Sequence, residues 1–194
     1  MILRNFAEKV KTRMGLRWPR DISHNKQRLS NILEAHVGHI RGDAGGALAD
    51  LAGAGLARAD LRSVNLTGAN LKGARLEEAD LRGAMLTRAD LSGANLRRAL
   101  LMNCDLTEVN AEGADFSGAN ASGAEMFRIN LAGAKLVGAV IRGSNLRAAN
   151  FRGADLRNAD LTNALVSESN LAEATTDGAN LSTSVVRDMK KVSS

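Results

Sequence analysis

Aromatic side chains are almost missing from this chain: four Phe, one Trp and no Tyr in 194 residues. Large aromatics dominate the buried area of an ordinary globular core, so a core of that kind is excluded. Apolar residues still make up 44%. They are mostly Leu and Ala, which calls for a narrow, regular interior. One proline, Pro19, stands against 19 glycines, so tight turns are many and forced breaks few. A single cysteine, Cys104, leaves no internal disulfide. No run approaches the roughly 18 apolar residues of a membrane-spanning helix. Arg4, Lys9, Lys11, Arg13 and Arg17 interrupt the first 20 residues, which excludes a secretory signal. The expectation is a soluble cytoplasmic protein with a reduced thiol.

Charge is unevenly placed. Residues 1–43 hold nine Lys/Arg and four Asp/Glu, and residues 44–194 hold 17 of each sign. The whole net charge of +5 therefore belongs to the leader.

A repeat of five fills the rest. Taking every fifth residue from Leu51 to Leu181 as a centre gives 27 positions, of which 19 are Leu. The others are Phe116, Phe151, Ile141, Met126, Val166, Ala111, Ala121 and Thr176. The residue two before the centre is Ala at 21 of the 27, and the residue just before it is usually Asp or Asn. The pattern A-(D/N)-L-x-x runs without an insertion. A period of five fits neither a helix at 3.6 nor a flat strand at 2. It needs a backbone that turns once per unit, with the two apolar positions on one side. Four units close a square coil of about 20 residues, and coils stack at the inter-strand spacing of about 4.8 Å. Thirteen glycines lie two after a centre, and one set recurs as Gly53, Gly73, Gly93, Gly113, Gly133 and Gly153. That column reads as one corner of the square, since Gly accepts the positive φ of a type II turn. The consecutive centres Ala111, Phe116, Ala121 and Met126 alternate small and large, which keeps the core volume level. Leu51, Leu71, Leu91, Phe116, Met126 and Phe151 are expected core residues, and Cys104 fills an Ala slot as an inert apolar group.

The repeats resemble the pentapeptide-repeat family over residues 49–181. The resemblance implies an all-β fold, a right-handed quadrilateral parallel β-helix of about seven coils. The organisation expected is a basic helical leader and N-terminal cap over residues 1–43, the β-helix over 44–186 and a tail over 187–194.

In the leader, Ile2, Leu3, Phe6, Val10 and Met14 recur at helical spacing among basic residues, which predicts an amphipathic helix ended by Trp18-Pro19. Phe6, Val10, Met14 and Trp18 are its candidate anchor, to an anionic membrane surface or to a partner. A second helix is expected from Leu29, Ile32, Leu33, His36, Val37 and Ile40, with Ser23 or Asn25 capping its start. Laid across the open end of a β-helix, it would stop end-to-end stacking.

Catalytic chemistry is hard to find. His24, His36 and His39 are the only histidines. His36-x-x-His39 lacks the further ligands of a metal site. The repeat Ser and Thr have no His to activate them. No enzyme activity, cofactor or metal is expected. The Asp/Asn before each centre do not match the nine-residue period of calcium-binding β-rolls and are expected to bond nearby backbone amides. Arg62, Arg82 and Arg142 share a column two residues after Asp60, Asp80 and Val140, and such mixed columns read as an ordinary solvated ladder. Leu100, Met102, Phe127, Val137 and Val140 break the polar outer pattern and form the candidate interaction patch, with Leu100, Met102 and Val140 on one face and Phe127 on the next. The leading functional class is a protein-interaction scaffold, with dimerisation as one form of it. The alternatives are a gyrase-binding mimic of duplex DNA, as the resemblance allows, and a membrane-surface scaffold anchored by residues 1–20. A DNA mimic needs an acidic wall, and these repeats are neutral. Direct nucleic-acid binding is disfavoured by that neutrality and by the missing aromatics.

Overall fold

The structure, a computed structural model, describes residues 16–184. From Ala49 the chain winds as a square coil and returns above its starting point every 20 residues. Parallel bridges hold successive turns in four columns, one per wall. The first wall stacks Asp50, Asn70, Asp90, Asn110, Asn130 and Asn150. The second stacks Gly55, Arg75, Asn95, Asp115, Lys135, Asp155 and Thr175. The third stacks Asp60, Asp80, Leu100, Asn120, Val140, Asp160 and Asn180, and the fourth Asn65, Met85, Asp105, Glu125, Asn145 and Leu165. Three bonds per wall tie one coil to the next. Leu51 N–H donates to Asn70 O at 2.7 Å, Asn70 N–H donates back to Ala49 O at 3.0 Å, and Gly53 N–H donates to Lys72 O at 2.8 Å.

Each corner is a four-residue turn, closed in the first case by Ala54 N–H on Leu51 O at 3.0 Å with Gly53 at φ +65°. A positive φ at the third residue alone is the type II signature. The Gly column, read from the sequence as one corner, is not special in backbone. Arg58, Glu78, Asn103 and Asn158 take φ between 56 and 58° at the other corners. A square must turn the same way four times, so every corner needs the left-handed residue. A non-glycine there bears about 1–2 kcal/mol of strain, which the ladder around it overrides. The Asp or Asn before each centre supports the turn: Asp90 Oδ1 accepts Ser92 N–H at 2.9 Å, and Asn65 Oδ1 accepts Thr67 N–H at 3.0 Å.

The two apolar residues of each unit fill the interior. Leu51, Leu71 and Leu91 are fully buried, as are Phe116, Met126 and Phe151. Ala111 and Ala121 are buried beside Phe116 and Met126, so small and large centres do share a level. Polar atoms enter two of the Ala slots, each with a partner. Cys104 Sγ donates to Leu81 O at 2.8 Å, and Ser144 Oγ donates to Ala121 O at 2.7 Å, each reaching the centre 23 residues back. Burial pushes the Cys104 thiol up to about 11, which keeps it protonated and unreactive.

The ladder is broken once among the described residues. Ser167 caps a helical turn, α2 (Glu168–Leu171), by accepting from Asn170 N–H. The sequence reading carried the repeat through this point unbroken. A Ser three residues before Asn170 favours a capped helical turn over another corner. Asn170 repairs the gap with its side chain: Nδ2 donates to Ala149 O at 2.6 Å, the bond its backbone N–H would otherwise make.

Ahead of the coil lie a 3₁₀ turn at Pro19–Asp21, a hairpin of β1 (Ser23–His24) with β2 (Gln27–Arg28), and the helix α1 (Leu29–Arg41). Ser23 and Asn25 do not cap α1 as the sequence suggested. Asn25 and Lys26, at φ 49° and 66°, form the two-residue hairpin turn, and Arg28 occupies the cap position without a side-chain bond. Leu29, Ile32 and His36 are buried, while Ile40 at the far end is exposed. Gly42, at φ +80°, ends the helix.

The corner geometry has a measurable consequence. A Cβ on Gly113 would meet nothing within 4 Å, so Gly113→Ala tests backbone strain alone and should cost about 1 kcal/mol. Ala148, at φ +57°, is the reverse case, and Ala148→Gly should gain a fraction of that. Chemical denaturation of both variants checks the opposite signs.

Candidate functional site

The third wall carries two parallel columns of outward side chains. The first is the bridged set Asp60, Asp80, Leu100, Asn120, Val140 and Asp160. The second lies two residues on: Arg62, Arg82, Met102, Ser122, Arg142 and Thr162. Its stacking follows from the bonds that the corner residues make to these carbonyls, such as Gly83 N–H on Met102 O and Gly123 N–H on Arg142 O.

At the N-terminal end the wall is not a solvated ladder. Asp80 is 0% exposed and Asp60 only 7%. Arg82 holds Asp80 with two parallel bonds, Nε to Oδ1 at 2.8 Å and Nη2 to Oδ2 at 2.6 Å. Arg62 bonds Asp60 at 2.9 Å and reaches Asp80 at 3.6 Å. Burial raises the Asp80 carboxyl, but the hydrogen bonds from Arg82 and the charges of Arg82 and Arg62 outweigh it, and the net shift is downward. The sequence reading missed this cluster. The signal was there in Asp-x-Arg repeated at a spacing of 20. Further along, Arg142 lies 2.5 Å from Asp160 and, with Thr162, lowers its carboxyl to about 2.

Between these ion pairs the wall turns apolar. Leu100 and Met102 sit side by side in one coil and Val140 two coils on, all half-buried, with Asn120 and Ser122 between. The five-residue patch expected from the sequence is thus divided. Leu100, Met102 and Val140 share the third wall. Val137 lies on the second wall, two residues after Lys135 as Met102 is after Leu100. Phe127 lies on the fourth wall with the Arg128 guanidinium 5.0 Å from its ring centre. Met85, also on the fourth wall, is the exposed apolar residue of the coil's middle, at 43%.

Of the candidate anchor, Phe6, Val10 and Met14 lie outside the described residues, as does the tail 187–194. Trp18 is half-buried and extended, with Arg20 5.4 Å from its ring. Beside it Arg17 joins the coil. Its N–H donates to Arg58 O at 2.7 Å and its carbonyl accepts Asp60 N–H at 2.8 Å, which adds a rung beneath the third wall. Trp18, Pro19, Asp60, Arg62, Ser63, Val64 and Arg82 line an open hollow of about 610 Å³ at this junction.

The histidines are not arranged as ligands. His36 is fully buried, and its Nδ1 accepts Ala49 N–H at 3.1 Å, which joins α1 to the first coil. Its other ring nitrogen, Nε2, has no partner among the described residues. His39 is exposed. Burial first, and then the nearby His39, lower the His36 pKa from 6.5. An acceptor Nδ1 requires the neutral ring, so this contact stabilises the fold fully above pH 6.5. It weakens as pH falls below 6.5, because the unfolded chain then binds the proton more readily. The expected outcome is a steeper loss of Tm from pH 7.5 to 5 in the parent than in His36→Leu, with the variant about 1–2 kcal/mol less stable at pH 7.5. Thermal melts at several pH values check both.

The family comparison agrees with this geometry. The model of the family described as pentapeptide repeats matches in overlapping stretches from residue 47 to residue 163, with eight copies. A search of curated proteins found no match. Among solved structures, the pentapeptide repeat protein Rfr23 from the cyanobacterium Cyanothece 51142 is 32% identical, covering 53% of this chain and 64% of its own, with a TM-score of 0.41. HetL from Nostoc sp. strain PCC 7120, involved in heterocyst differentiation regulation, is 34% identical over 71% of this chain and 68% of its own, with a TM-score of 0.26. A trypsin-treated QnrB1, a plasmid-mediated fluoroquinolone resistance protein, is 23% identical over 62% and 78%, with a TM-score of 0.34. A five-residue repeat, a coil that closes every 20 residues and a family match over more than half the sequence lead to one assignment: the chain belongs to the pentapeptide-repeat family, whose fold is a right-handed quadrilateral β-helix.

Proposed function

We propose that this chain is a non-enzymatic protein-interaction rod of the cytoplasm, and that its third wall is the contact surface. The observation that carries this reading is the placement of Leu100, Met102 and Val140. They interrupt two columns that are otherwise ionic or polar, and ion pairs flank them at both ends. An apolar centre with a polar rim is the anatomy of a protein interface. The rigid ladder beneath holds the backbone flat, so binding needs no backbone ordering there. Mimicry of duplex DNA ranks behind this reading. It needs a continuous acidic column, and every column here mixes acids with amides, bases or apolar residues. Membrane attachment through residues 1–20 is compatible with an interaction rod, with residues 16–20 as the described part of that segment.

The same proposal gives residues 17–41 a capping role. Arg17 pairs with the first coil, Ile22, Leu29 and Ile32 join its core, and His36 takes the Ala49 N–H. Without them the first coil would present Leu side chains and unpaired amides to other chains.

Two outcomes are expected. The double change Leu100→Arg with Met102→Arg should reduce partner capture at least tenfold (about 1.4 kcal/mol) with unchanged circular dichroism. Equal capture by parent and variant would remove the third wall as the contact. Deleting residues 1–43 should leave the coil folded but make it self-associate in sedimentation runs. A monodisperse truncated chain would remove the capping role.

A further inference from the structure

His36 sits fully buried at the joint between α1 and the first coil. Its Nδ1 accepts Ala49 N–H, so the neutral ring carries its proton on Nε2, which has no partner among the described residues. A buried donor without an acceptor is a standing cost of the closed joint. A second proton would go to Nδ1, where it sets a donor against the Ala49 N–H and buries a charge. Opening the joint gives both ring nitrogens to water. We propose that His36 is an acid-sensitive latch: a proton on its ring releases α1 from the first coil and bares that end of the β-helix to a second copy of this chain. This rests on the capping role of residues 17–41 and adds what controls it.

The joint can open without the coil. Besides the His36 bond, α1 is tied to the entry of the coil by Ala47 N–H on Ala35 O at 3.1 Å and by the packing of Leu29, Ile32 and His36 itself. In a solenoid each layer holds only its neighbours, so an end layer opens before the rest. Nothing around the ring compensates an imidazolium. The charged groups on the surrounding elements are Glu34, His39 and Arg41 of α1, Arg17, Arg20 and Asp21 before the hairpin, His24, Lys26 and Arg28 of the hairpin, and Asp43 and Asp50 after the helix. None of them is bonded to the ring, and all but the half-buried His24 are exposed. Burial, and then His39, oppose a proton there, so the closed ring titrates below the ordinary value of 6.5 that the open ring keeps. The latch therefore holds in full above pH 6.5. Below it, opening rises by up to about tenfold per pH unit until the closed ring titrates too. The rung that Arg17 forms beneath the third wall is made by backbone groups and is indifferent to the proton. The side that opens is that of Ala49, where Leu51 shares a core cluster with Leu29 and Ile32. Leu48 beside it is already 48% exposed. Bared core side chains and unpaired amides at a coil end are what a second chain can pair with.

Hydrogen exchange and sedimentation of the full chain at pH 7.5 and 5.0 test the latch. The coil amides of Leu71 and Leu91, bonded to the next coil, serve in the same sample as the reference for the direct effect of pH on exchange. The expected result is that protection of the Ala47 and Ala49 amides falls against that reference by up to about thirtyfold at pH 5.0. A larger species should appear with it and disappear on return to pH 7.5. His36→Asn offers an oxygen in place of Nδ1 and takes no proton, so its protection and size should not change with pH. His36→Leu, which cannot titrate either, answers the same question if the Asn chain does not fold. A chain with His24→Gln and His39→Gln keeps only His36 and should still respond. A response that survives in the His36 variants, or that is lost in the His24 and His39 double variant, overturns the latch, as does unchanged protection in the parent. Opening without a larger species overturns release to a second copy. In that case, association of the chain lacking residues 1–43 leaves the capping role standing, and a monodisperse truncated chain removes both.

Discussion

Everything in this molecule depends on one backbone requirement, a left-handed residue every fifth position. That residue turns the chain through each corner, and four such turns return it above its start. Only then can Leu51 N–H find Asn70 O and Asn70 N–H find Ala49 O. The interior is whatever space the square leaves, which is why one Leu and one Ala per unit fill it and aromatics are almost unused. Many corners are not glycine, so the strain is local and the ladder around it is the stronger influence. Stability in such a solenoid is shared between neighbouring coils rather than held in one centre.

Polar groups inside or against this frame are tolerated only where geometry completes their bonds. Cys104 and Ser144 both reach the carbonyl 23 residues back, because the Ala slot faces the corner of the coil below. Asp80 is fully covered yet charged, because two arginines meet its carboxylate. Removing Arg82 would strip the buried Asp80 of both its close bonds, which is costly. The N-terminal end follows the same rule. Backbone groups that no earlier coil can satisfy are met by Arg17, and Ala49 N–H is met by the ring of His36.

The coil was legible because its signal repeats. Ala at 49, 54 and 59 and Leu at 51, 56 and 61 already describe the interior, and each later unit describes it again. What stayed illegible occurs once. The hairpin at Ser23–Arg28 depends on Asn25 and Lys26 adopting positive φ, and short polar residues before a helix look equally like a cap. The helical turn at Glu168–Leu171 replaces a wall segment whose centre, Leu171, still obeys the repeat. The burial of Asp80 depends on how Arg62 and Arg82 fold back across the wall, a choice of rotamer that no spacing reveals. The apolar residues at 100, 102 and 140 were visible as breaks in the pattern. Their division from Phe127 and Val137 followed from counting walls.

A repeat scaffold separates its two tasks by position in the unit. The inward pair answers to core volume and is nearly invariant along the chain. The outward residues do not answer to the core: an Asp or Asn before a centre supports the corner with its side chain, and Leu100 gives up that bond. Leu100 and Met102 cover no interior surface that a polar residue could not cover, since Asn120 and Ser122 occupy the same places one coil on with their hydrogen bonds complete. Water contact costs an apolar side chain free energy that the fold does not recover. A half-exposed Leu–Met pair on a wall built to hold polar columns is therefore the part of the outer surface that the fold itself explains least.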